Sequence, residues 1–143
     1  MYYKKILAAV DVSDSSKEAY KHALALAKLT GGEVLILNVA ISEKEDKGGF
    51  SKGILDSVLD LCDTSGVTVK TKTAYGRPAR AIVNTALTEK VDLIITGGHS
   101  YGPIESIFQG SVSSRVVQLA PCPVMVVNDY PGIHEDVQTC LLT

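Results

Sequence analysis

The chain has 143 residues, 45% of them hydrophobic, which suits one domain with a real core. Lysine plus arginine (14) against aspartate plus glutamate (16) leaves a formal charge of −2, so non-specific binding to nucleic acid has no electrostatic driver. Cys62, Cys122 and Cys140 are odd in number, scattered and without a CxxC pair, which argues against a disulfide framework and against zinc.

The elements follow in chain order. MYYKKILAAVDVS lacks the apolar region and cleavage site of a secretory signal, and no apolar run reaches bilayer length, so the expectation is a cytoplasmic protein with no membrane partner. KKILAAVDV (4–12) is short, apolar and bounded by turn residues, a buried strand. In the helix that follows, Ser15 and Glu18 have the spacing of a capping box, Gly31 or Gly32 supplies the stop, and Ala19, Ala23, Leu26 and Ala27 share a face. EVLILNVA (33–40) is a second buried strand, and ISEKEDKGG reads as a polar loop. FSKGILDSVLDLCDTSG puts Phe50, Ile54, Val58 and Leu61 on one helical stripe ending at Gly66. VTVKTKTAYG (67–76) alternates like an edge strand. RPARAIVNTALTEK opens with Pro78, suited to a first helical turn, and buries Ala79, Ile82, Val83 and Ala86. VDLIITGG (91–98) is a fourth strand, SVSSRVVQLA (111–120) a short helix stopped by Pro121 and Pro123, and PVMVVN (123–128) a fifth strand. The tail, 129–143, has weak periodicity and reads as loose.

Strand–helix repetition with apolar strands gives an α/β class: a single doubly wound domain over 1–143, with a five-stranded parallel sheet of order 3-2-1-4-5 and helices on both faces. Ligands bind such sheets beyond the carboxyl ends of the strands where the winding reverses, here between the first and fourth. The first ends in Ala9-Val10-Asp11 and the fourth in Thr96-Gly97-Gly98. After the fourth comes TGGHSYGPIESIFQGS (96–111). Glycines admit close backbone approach, and Gly110, Ser111, Val112 and Ser113 open a helix whose free N–H groups attract an anion. No GxxxxGK[ST] is present, and GxGxxG does not follow the first strand. The loop therefore reads either as a phosphate cradle using backbone donors, with or without Mg2+, or as a glycine-rich connection packed for structural reasons.

Nearly the whole chain resembles the universal stress protein family. The resemblance rests on KKILAAVDVSDSSKEAYKHALALAK, LILNV, GRPARAI and TGGHSYGPIESIFQGSVSSRVVQLAPCPVMVV. The family's nucleotide-binding members carry G-x-x-G, nine residues, then G-[ST]. Here the first glycine is Gly97, the nine residues are Tyr101 to Gln109, the closing pair is Gly110-Ser111, and Ser100 holds the second glycine's place. The resemblance implies ATP in the crevice between the first and fourth strands. Asp11 would contact the adenosine and Val10 and Val39 would line the adenine. Thr96, Gly97, His99, Ser100, Gly110, Ser111, Val112 and Ser113 would surround the ribose and phosphates. It also implies a homodimer through the last strand, Val124 to Val127. Where relatives commonly have glycine after the aspartate, this chain has Val12.

Structural alternatives stand beside these roles. Asp11 can cap the turn into the first helix, Ser111 can be an N-cap, and Val10 and Val39 are core residues on any reading. His99 and the isolated Glu105 have no partner with catalytic logic, Cys122 reads as buried and inert, and His22 and His134 read as surface groups. Three functions follow: a nucleotide-binding regulatory module, a slow ATP hydrolase or autophosphorylating protein using Ser111 or Ser113, and an interaction-only dimer with a decayed site. The glycines and the lack of an aligned base favour the first.

Overall fold

A computed structural model describes residues 2–100 and 111–129, with side chains for 2–98 and 111–128. The elements are β1 (Lys5–Ala9), α1 (Asp14–Thr30), β2 (Glu33–Ala40), α2 (Phe50–Leu59), β3 (Thr68–Tyr75), α3 (Pro78–Thr88), β4 (Leu93–Ser100), α4 (Ser111–Leu119) and β5 (Val124–Asp129). The strands form one parallel sheet in the order β3-β2-β1-β4-β5, as the alternating pattern predicts.

Along β1, successive side chains point to opposite faces. Ile6 and Ala8 join a core with Tyr20, Ala23 and Ala27 of α1 and Leu55 and Val58 of α2. Leu7 and Ala9 join a second core with Ala81, Ile82 and Ala86 of α3 and Val116 of α4. The central strand is thus buried on both faces, which is why its sequence is apolar without alternation. Each fully buried Ile or Leu contributes about 1.5–3 kcal/mol over the exposed state. At the far edge β3 has no fully buried residue, as suits an edge strand, but it does not strictly alternate: Val69, Thr73 and Ala74 are half-buried and the rest are exposed.

Several boundaries and faces differ from the sequence expectation. β1 stops at Ala9 rather than continuing to Val12. Val10 N–H still bonds Leu37 O at 2.8 Å, but the Val10 carbonyl accepts from the Asn38 side-chain amide, also at 2.8 Å, and the chain turns away. The N-cap of α1 is Ser13, not Ser15: its hydroxyl accepts from Ser16 N at 3.2 Å, while Glu18 is buried and pairs with Lys21 at 3.0 Å. Gly31 ends α1 with φ +72°, the left-handed cap conformation that glycine adopts without strain.

α2 is rotated from the expected stripe. It buries Ser51, Leu55 and Val58, leaves Phe50 and Leu61 exposed, and ends at Leu59 instead of reaching Gly66. The cause is polar. Ser51 Oγ donates to Asn38 Oδ1 at 2.7 Å and lies 2.7 Å from Thr73 Oγ1, so the hydroxyl is the group turned toward the sheet. α3 begins with Pro78 in its first turn, as predicted. β4 starts and ends two residues later than expected, so Gly97 and Gly98 lie within the strand rather than leaving it.

Candidate functional site

Ala9 of β1 sits in register with Thr96 of β4, which brings the two carboxyl ends side by side where the winding reverses. Val10 and Asp11 emerge from one strand and Gly97 and Gly98 continue the other. Val39, on β2, is buried in the core beneath this edge. Thr96 is fully buried.

Asp11 is built into the turn toward α1. Its Oδ1 accepts from Ser13 N at 2.8 Å, its N–H donates to Ser16 Oγ at 2.9 Å, and Ser16 Oγ donates back to the Asp11 carbonyl at 3.1 Å. Asp11 is only 6% exposed, yet it lines a cavity of about 340 Å3 at the end of β2. The apolar wall of that cavity is Val12, Val39, Ile41, Phe50 and Ile54; Glu45 and Asp46 add acidic groups. Val12 is 45% exposed and stands between this cavity and a neighbouring one of about 300 Å3 that reaches Lys17.

Seven residues that line this cavity are not singled out for the site by the sequence: Asn38, Ala40, Ile41, Glu45, Asp46 and, in this role, Phe50 and Ile54. Phe50, expected on the helical stripe of α2, is 71% exposed and lines the cavity. Asp46 lies in a stretch read only as a polar loop. Its Oδ1 accepts from Ser51 N at 2.8 Å, and Oδ2 accepts from the Tyr75 hydroxyl at 3.3 Å. Desolvation, then the charge of Asp46 and its hydrogen bond, then Glu43, push the Tyr75 phenol above its ordinary value. The signal available in the sequence for Asn38 was a lone amide inside an apolar strand, which needs partners when buried.

On the other side of the reversal the glycines do a different job. A Cβ on Gly97 would meet Ser16 N at 2.7 Å and the Ser15 carbonyl carbon at 2.8 Å, so the first turn of α1 rests directly on the strand there. A Cβ on Gly98 would run into the side chains of Asn128 and Val126 on β5. Close approach is required at both, and protein occupies the space. Beyond Gly97 the β4–β5 register shifts, and Ser100 pairs with Asp129. Ser111 is exposed at the start of α4, Val112 is half-buried and Ser113 is buried. Gly110, with the rest of 101–110, lies outside the described residues, as do the side chains of His99 and Ser100, and so do Glu105, His134 and Cys140.

No described group has the character of an activated nucleophile. Burial pushes the Cys122 thiol up, with Asp92 adding to it and a hydrogen bond from Ile94 N–H opposing it. Burial also raises Cys62, against Lys21 and Lys28. His22, half-buried on α1, places Nδ1 2.9 Å from the Glu18 carbonyl. Among the described residues no group of three or more His, Cys, Asp or Glu could hold a metal, and no helix is long and apolar enough to cross a membrane.

Residues 2–128 match the model of a family described as the universal stress protein family. The chain is 36% identical over 141 residues to a universal stress protein of Methanocaldococcus jannaschii, covering 87% of this chain and 82% of that one. It is 31% identical over 148 residues to a universal stress protein of Bacillus subtilis, covering 87% and 99%. Among solved structures it is similar to a universal stress protein from Archaeoglobus fulgidus in complex with dAMP. There the TM-score is 0.70 and the identity 25%, over 89% of this chain and 99% of the other.

Proposed function

This chain belongs to the universal stress protein family, and we propose that it is a regulatory module that binds an adenine nucleotide, ATP, at the reversal between β1 and β4. The observation that carries the reading is the character of the Asp11 cavity. Its walls are largely apolar, with Phe50 and Val12 exposed, and its polar lining residues are Asn38 and the acidic Asp11, Glu45 and Asp46. Such a cavity accepts hydrogen bonds from an amine and from ribose hydroxyls and repels phosphate. The phosphates must then lie on the far side of the reversal, toward α4, whose first turn carries no acidic residue. The dAMP bound by the Archaeoglobus fulgidus relative supports an adenine nucleotide as the occupant.

In this reading Asp11 contacts the adenosine, and Val10 and Val39 support the base. Thr96, Gly97, His99, Ser100, Gly110, Ser111, Val112 and Ser113 surround the ribose and phosphates. Magnesium arrives on ATP instead of being held in a protein cage. Binding rather than turnover is the output, because among the described residues no general base is aligned on a water or a hydroxyl. Denaturing the purified protein and identifying the released nucleotide, followed by calorimetry with ATP and Mg2+, tests this. Absence of both a released nucleotide and a binding heat from folded protein refutes it.

One observation favours a second reading, an interaction protein with a decayed site: Gly97 and Gly98 are required by packing whether or not a ligand binds. Both readings share a homodimer through β5. This strand is at the edge of the sheet and exposes Met125 and Val126, the latter at 39%. Val126→Lys should shift the mass in solution toward monomer; an unchanged dimer places the interface elsewhere.

A further inference from the structure

All three arginines of the chain, Arg77, Arg80 and Arg115, line one hollow of about 380 Å3 between the first turn of α3 and the face of α4 that runs from Ser111 through Arg115 to Leu119. The other cations of the chain are lysines, and none of them lines it. Lys5, Lys17, Lys21, Lys52 and Lys72 each lie within 4.0 Å of a carboxylate. Among the described residues no carboxylate lies that close to an arginine, and none lines the hollow.

The backbone adds to the same field. Arg77 is the N-cap of α3 and makes no side-chain cap bond, and Pro78 follows it. The first turns of α3 and α4 contain no acidic residue, so among the described residues no side chain of either first turn offsets the positive end of its helix dipole. α1, by contrast, has the Ser13 cap and Asp14 in its first turn. Ser111 brings a hydroxyl donor to the hollow. Three guanidiniums, a hydroxyl and two helix starts, with no carboxylate among the described lining residues, form a concave cationic surface. The planar fork of arginine matches phosphoryl oxygens two at a time, which lysine does not.

We propose that this hollow binds a phosphoryl anion. Two sources supply that chemistry: the terminal phosphates of the nucleotide assigned to the neighbouring crevice, in which case the proposal rests on that reading, or a free phosphate compound. Ser111 and Val112, assigned to the phosphates above, line the hollow, so the two sites adjoin.

Calorimetry with tripolyphosphate, AMP and ATP separates these. The proteins compared are wild type, Arg77→Gln/Arg115→Gln, and the control Lys44→Gln/Lys70→Gln, which removes the same charge elsewhere. All the substituted side chains are exposed, and unchanged thermal melts confirm the fold. The arginine variant should bind the phosphoryl probe at least roughly tenfold more weakly, with the lysine control unaffected. If tripolyphosphate binds alongside saturating AMP, the source is a free anion. If instead ATP binds more tightly than AMP and the arginine variant loses that margin, the source is the nucleotide. Arginine-dependent tripolyphosphate binding with no adenine nucleotide bound would refute the nucleotide reading and leave this one standing. Equal losses in both variants, or no effect of the arginines on either tripolyphosphate binding or the ATP-to-AMP ratio, would overturn it.

Discussion

The two flanks of the strand reversal are held in place by opposite means. On the β1–β2 flank, positions are set by side chains that hydrogen-bond: Asn38 to the Val10 carbonyl, Ser51 to Asn38 and Thr73, Ser16 to both ends of Asp11. On the β4 flank they are set by side chains that are missing, since Gly97 lets the first turn of α1 lie on the strand and Gly98 makes room for Asn128 and Val126. The first device fixes direction, because a buried hydroxyl or amide tolerates only its own partners. The second fixes distance. A crevice that must aim a carboxylate on one side and bring backbone close on the other has use for both.

The largest loss is expected at Gly97. Gly97→Ala forces a Cβ against backbone of α1, which cannot swing aside, and should cost about 3 kcal/mol, read as a lowered denaturation midpoint. Gly98→Ala meets side-chain atoms that can rotate, so a loss as large there would show that the two glycines are not distinguished by what they face. Next comes Ser51→Ala, which strands Asn38 Oδ1 in a buried setting and should cost about 1–2 kcal/mol. Because Asn38 also holds the Val10 carbonyl, this variant should weaken nucleotide as well as the fold; unchanged affinity would uncouple the polar knot from Asp11. Ser100→Gly restores the family's glycine and should tighten ATP about fivefold, near 1 kcal/mol. Weaker binding would make the serine hydroxyl a ligand group. The smallest effect on stability belongs to Phe50→Ala. At 71% exposure it should change stability by less than about 0.5 kcal/mol while reducing nucleotide affinity, and a large loss of stability with intact affinity would place Phe50 in the core after all.

What the sequence showed and what it hid divide along the same line. Buried apolar strands such as β2 announce themselves, and their order follows from short right-handed connections. Hydrogen-bonded position is harder to read. With Ser13, Ser15 and Ser16 in competition near Asp11 and Asp14, spacing favoured Ser15 as the cap, but the turn built on the Asp11 carboxylate brings Ser13 to it. The buried face of α2 is hidden in the sequence because Phe50 outweighs Ser51 in any hydrophobic pattern, whereas the buried partners of Ser51 lie on β2 and β3, distant in sequence. The glycines were legible as places of close approach, but not as places where the approaching body is helix α1.

One feature of the sheet bears on how the protein assembles. β1 joins its two neighbours across very different lengths of chain: Lys5 pairs with Glu33 on one side, while the Asp92 carboxylate that receives Lys4 N–H is 88 residues away. Closing the longer loop costs more chain entropy, and contacts of that range form late. In refolding followed by pulsed hydrogen exchange, amides of β2 should gain protection before those of β4; simultaneous protection would contradict that order. During synthesis, the half that aims Asp11 is complete while the glycine strand is still being made, so the crevice closes last, by docking a late strand onto a half that has already taken shape.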